Sequence, residues 1–170
     1  MDKNVFNIFF IICVLFICLI FPIKAFSQND PLNVRLTNAA WRAFGAKDFN
    51  GAIKNAEECI DEFQPAALRE QEQLEKDETP AFPVGKVDKE TEKTLLRRGL
   101  LNDVATCWFI KGRSLEKLGR TQEALNAFRQ AEKYTYARTW DDQGKVFWSP
   151  AEGAKDRIRF LMKQLPPDKQ

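Results

Sequence analysis

The chain reads as an all-α protein built from paired antiparallel helices, and three observations predict this. From Trp108 to Tyr134, residues Trp108, Gly112, Leu115, Ala124, Phe128 and Ala131 recur at helical spacing, interrupted at Leu118-Gly119-Arg120. Two short helices joined by a tight turn place those six on facing sides. The glycine and alanines admit close backbones, and the large side chains fill the space between. An earlier stretch repeats the arrangement, with Leu36, Ala39, Ala40 and Ala43 striping one helix and Phe49, Ala52, Ile53, Ala56, Cys59, Ile60 and Phe63 the next. Near the end, Ser149-Pro150-Ala151-Glu152 is a capping box with proline in the first turn. It heads a helix carrying Ala154, Ile158, Leu161, Met162 and Leu165 on one face. No β-strand is expected after residue 27.

Taken in order, Asp30-Pro31 starts the first helix, Asp30 as N-cap and Pro31 in the first turn, and the helix runs from Leu32 to about Ala46. Lys47-Asp48 turns the chain into the second helix at Phe49. Pro65 starts a new turn or kinks that helix. Ala66 to Lys76 is a run of strong, charged helix formers. Thr79 to Lys86, with Pro80, Pro83 and Gly85, is a loop. Asp88 caps a long third helix continuing through Leu95, Leu100, Val104 and Cys107 to the Trp108 stretch, and Gly99 within it marks close packing. The fourth helix spans about Thr121 to Lys133, followed by an aromatic segment from Tyr134 to Phe147 with Gly144 as a turn former. Pro166-Pro167 ends the last helix, leaving residues 166–170 as a loose tail.

The Trp108–Ala131 pattern resembles a tetratricopeptide repeat, a helix-turn-helix unit of about 34 residues. Leu36, Ala40, Ala43, Ala52, Ala56 and Cys59 occupy the matching places in the earlier copy, with Ala56 where the repeat carries a large residue. Ala52 and Ala124 lie about two periods apart instead of one, which the central helices absorb by being overlong. The resemblance implies a two-repeat solenoid over residues 28–165 with a C-terminal capping helix. It further implies an adaptor that binds a protein or peptide in the groove lined by the first helix of each repeat. The corresponding positions are Thr37, Trp41 and Phe44 in the first copy, and Thr106, Phe109, Arg113 and Lys117 in the second. The run from Tyr136 to Ala151 is also similar to the tail of small exported tetratricopeptide proteins.

Residues 5–23 are almost wholly apolar, interrupted mainly by Asn7 and Pro22, and the run from Ile8 to Phe21 is shorter than a membrane span needs. Ala25 and Ser27 supply the small residues of a cleavage site ahead of Gln28, so residues 1–27 read as a signal peptide of an exported, periplasmic or secreted protein. The rival reading keeps the segment as a membrane anchor. Cys13 and Cys18 leave with the signal; Cys59 and Cys107 remain, either as small buried hydrophobes or as a disulfide.

The net charge of +2, with acids and bases interspersed, argues against a nucleic-acid partner. The chain contains no histidine, which excludes serine–histidine and cysteine–histidine catalysis and nearly all catalytic zinc sites. No catalytic residue, cofactor or metal site is expected. An alternative to the protein-binding groove is an aromatic, sugar-stacking surface formed by Tyr136, Trp140 and Trp148, acting on cell-wall glycan or β-glucan. Asp141 and Asp142 are adjacent, so their carboxylates are poorly placed to flank one glycosidic bond. The signal reading has a direct consequence: N-terminal sequencing of the protein from its host should begin at Gln28, whereas a start at Met1 identifies a retained anchor.

Overall fold

The computed structural model describes residues 30–165, so residues 1–27, read above as a signal peptide, and the tail after Leu165 lie outside the described residues. The described part is mostly helical, with six helices and one short hairpin. Pro31, in an extended conformation, is itself the N-cap of α1 (Leu32–Gly45), and the expected Asp30 cap does not form. At the next turn Lys47 takes φ 64°, and the Asp48 carboxylate accepts the Gly51 N–H at 2.9 Å, starting α2 (Phe49–Lys76). A Cβ at Gly51 would lie 2.1 Å from that carboxylate, so the glycine lets the cap close over the helix start. Helix α2 is a single 28-residue element that passes through Pro65 without ending.

The long third helix expected from Asp88 onward is two helices. Asp88 caps α3 (Lys89–Arg97) through Glu90 and Thr91, the backbone breaks at Arg98 (φ −86°, ψ 41°), and α4 (Gly99–Lys117) begins anew. The cause is local competition for one carbonyl. Leu95 O, which would accept Gly99 N in a continuous helix, takes the Asn102 side-chain amide at 2.8 Å and Arg98 N at 3.1 Å. Gly99 is accordingly not a close-packing site, since an added Cβ would meet only Asn33 Nδ2 at 3.6 Å.

Helix α4 is the axis of the molecule, packing against α1, α2, α5 and α6. Gly119 at φ 73° terminates it, and α5 (Thr121–Ala131) folds back. The two approach so closely that a Cβ on Gly112 would stand 2.6 Å from the Phe128 ring. One core cluster joins α1, α2 and α4 with Tyr134 and Ala137; a second joins α4, α5 and α6. Trp108 packs against both, its indole N–H donating to Gln64 Oε1 at 2.8 Å.

The expectation of no strand is overturned. Thr139–Asp141 (β1) and Val146–Trp148 (β2) pair antiparallel, with Trp140 opposite Phe147. Five of the six strand residues are β-branched or aromatic, and the sixth, Asp141, builds the turn, its carboxylate accepting Gln143 N (3.0 Å) and Gly144 N (3.1 Å). The proline loop joins this hairpin through paired backbone bonds between Gly85 and Phe147 (2.7 and 2.9 Å). It is also held by Arg138, only 5% exposed, whose guanidinium donates to the carbonyls of Phe82, Thr135 and Ala137. Ser149 then caps α6 (Pro150–Gln164), accepting Glu152 N at 3.2 Å. Arg157 of α6 pairs with Glu116 of α4.

The Gly112 contact yields a paired expectation. Gly112→Ala forces the ring and two helices apart and costs about 1–3 kcal/mol in urea denaturation. Gly99→Ala, free of any such clash, leaves stability unchanged or slightly raised.

Candidate functional site

Three elements converge on a cleft of about 650 Å³. Helix α1 contributes Asn38 and Trp41, α4 contributes Phe109, and the hairpin contributes Trp140, Asp141, Asp142, Gln143 and Trp148. Asn38 and Trp41 lie on the same α1 face one turn apart, which is why both reach the cleft. Phe109, 7% exposed, is its floor, with Trp148 edge-on at 5.0 Å, Phe128 at 5.8 Å and Trp41 at 6.4 Å between ring centroids. Gly153 of α6 backs this floor. A Cβ there would come within 3.1 Å of Phe109 and 3.3 Å of Trp148, so the glycine admits both rings against the helix. Trp140 stacks edge-on against Phe147 at 5.1 Å and donates its indole N–H to Asp142 Oδ1 at 3.0 Å.

The expected groove residues divide between this cleft, its flank and the interior. Trp41 and Phe109 belong to the cleft. Phe44 stands edge-on to Trp41 at 6.0 Å. Arg113 lies over the rings of Phe44 (5.8 Å) and Phe109 (6.0 Å) and is 3.5 Å from Glu116, so its charge is held on the cleft's flank. Lys117 is exposed at the end of α4. Thr37 and Thr106 are not groove residues: both are buried, each donating to the carbonyl four residues back, Asn33 and Asn102. A hydroxyl that satisfies itself on its own helix can sit on the apolar face, which spacing alone does not distinguish from a groove position.

The proposed aromatic surface is likewise split. Trp140 and Trp148 share the cleft, whereas Tyr136 packs on the α1–α2–α4 core and gives its backbone N–H to Gln71 Oε1 at 3.2 Å. Asn38, Gln143 and Gly153 were not singled out from the sequence. Gly153 sits on the buried side of an amphipathic helix, the one signal that could have marked it.

Two carboxylates and no lysine or arginine are among the residues lining the cleft. Lys145 lies 3.7 Å from Asp142, with both side chains largely exposed. Such a pair contributes little and is readily exchanged. Among the described residues no cluster of three or more metal-ligating side chains is placed to hold a metal ion.

A separate polar cluster lies inside the α1–α2–α4 core. Cys59 and Cys107 are both buried free thiols, so the disulfide reading is not realised here. Thr37 Oγ1 bridges them, 3.8 Å from the Cys59 sulfur and 3.3 Å from that of Cys107. Burial, with the neighbouring Cys59, pushes the Cys107 thiol well above its ordinary range. Beside them, Asn33 Nδ2 donates to Asp103 at 2.6 Å. Burial nonetheless raises the Asp103 pKa from 3.8 to about 6, against the opposing hydrogen bond from Asn33.

Because the folded state holds the Asp103 proton more tightly than the unfolded chain, this group's stabilisation is fully present below pH 3.8 and is lost as pH rises through about 6. The loss amounts to up to about 3 kcal/mol. Urea denaturation across that window should show it, and Asp103→Asn should flatten that part of the profile. No family model matches the chain, and neither does any curated protein or solved structure.

Proposed function

We propose that the protein is a non-catalytic, exported binding module that takes a partner protein or peptide on the face shared by α1, α4 and the hairpin. In this reading α1–α2 and α4–α5 are two tetratricopeptide-like pairs and α6 is their cap. The burial of Ala124, Phe128 and Ala131, the Gly112–Phe128 approach and the left-handed Gly119 support that reading. The observation that carries the binding site is the cleft itself: Trp41 and the hairpin's Trp140 and Trp148, far from it in sequence, line one opening whose volume falls in the usual range for ligand sites. Large aromatic rings around a recess are the side chains that dominate binding energy at protein interfaces.

Cross-linked capture from the host envelope or medium tests the placement. Trp41→Ala and Arg113→Ala should each abolish capture while thermal unfolding by circular dichroism stays cooperative. Unchanged capture by both variants removes the partner from this face.

A second reading has its own support. The amides of Asn38 and Gln143 beside three indoles suit the hydroxyls and C–H faces of a cell-wall glycan or β-glucan. Saturable changes in tryptophan emission on adding glucan oligosaccharides would favour it; a flat titration removes it.

A further inference from the structure

The cleft's chemistry is more specific than its shape. Its lining residues bring four aromatic rings and two carboxylates together without a single cation. An anionic ligand would be repelled by Asp141 and Asp142, with the exposed Lys145 contact to Asp142 a weak offset. A neutral one would use neither charge. A cation is attracted by both components, the carboxylates through charge and the indole faces through the ring quadrupole.

The same chain already uses this chemistry at another place. On the α2–α4 face, the Lys111 ammonium lies 5.1 Å from the Trp108 ring centroid and 2.8 Å from Glu57. Beside the cleft, Arg113 covers Phe44 and Phe109 and is balanced by Glu116. In the cleft the rings and carboxylates are present and the third member of that arrangement is missing from the lining.

We infer that the cleft takes a basic segment of a partner polypeptide, with a lysine or arginine side chain entering between Trp41, Trp140 and Trp148 and facing Asp141 and Asp142. This rests on the cleft being the binding site and names the chemistry of its occupant. The carboxylates are partly engaged but not saturated. Asp141 accepts two turn N–H groups, and Asp142 accepts the Trp140 indole and lies within an exposed ion pair of Lys145. An ionised carboxylate offers about four acceptor sites, leaving capacity at each for an incoming donor. Arrival of a basic side chain exchanges the loose Lys145 contact for one partly shielded by indoles, where charge–ring attraction is stronger than at an exposed site.

The test is a tryptophan-fluorescence titration of the full chain, expressed with its own N-terminal segment. The probe is a six-lysine peptide, and a six-serine peptide and a six-glucose β-glucan oligosaccharide are the comparators. Three of the four tryptophans line the cleft, so emission reports on it. The protein's own net charge is +2, so general charge attraction does not draw a basic peptide to it. The lysine peptide should give a saturable change, weakening at least about tenfold between about 0.05 and 0.5 M salt. Gln143→Lys, which places a cation on the rim without touching the Asp141 turn carboxylate, should weaken it about tenfold, and Asp142→Asn similarly. The serine peptide and the glucan should give no response. No saturable response to the lysine peptide, a response equal in both variants, or a glucan response in its place overturns the proposal. If the lysine peptide fails while partner capture still depends on Trp41, the binding face stands and only the basic occupant is removed.

Discussion

One buried amide organises the chain around the cleft. The Asn102 side chain donates to Leu95 O and accepts Arg138 N–H, so it both breaks the helix ahead of α4 and anchors the strand of chain returning after α5. Four residues on, Thr106 donates to Asn102 O and shares a 2.7 Å hydrogen bond with Thr139 at the start of β1. The position of the hairpin on α4 therefore follows from two polar side chains one helical turn apart. An unpaired amide in that place would cost the desolvation of both its ends. Arg138 extends the network by gathering three carbonyls, one of them from the proline loop. Its burial lowers its pKa, and the carbonyl dipoles surround the charge that burial disfavours.

Much of the helical layout was legible because it depends on spacing. Apolar residues at helical period mark the faces of α1, α2, α4, α5 and α6, and the Ser149 capping box and the Gly119 turn fix their ends to within a few residues. The α3–α4 break was not legible, since it arises from a side chain competing seven residues away for a backbone carbonyl. The hairpin was hidden for a related reason. Three-residue strands are too short for an alternation pattern, and their register rests on Asp141 turning the chain and on tertiary contacts with Gly85 and Thr106.

The candidate site shows the same division. The tetratricopeptide resemblance put Trp41 and Phe109 in one groove, and composition marked Trp140 and Trp148 as an aromatic surface. What spacing could not supply is that these are one place, because their meeting depends on the fold of the segment between α5 and α6. The same limit misassigned Thr37. This residue lies beside the α1 stripe, where the resemblance puts a groove residue, and its burial against Cys59 and Cys107 places it inside.

The bridge between Gly85 and Phe147 bears on how the molecule behaves in crowded surroundings. A free two-stranded ribbon presents unpaired backbone along both sides and invites another chain to add itself as a strand. Here the outer side of β2 is already occupied by the proline loop at Phe147, and β1 is only three residues long. A surface rich in tryptophan is thus displayed on a ribbon that offers little template for self-association.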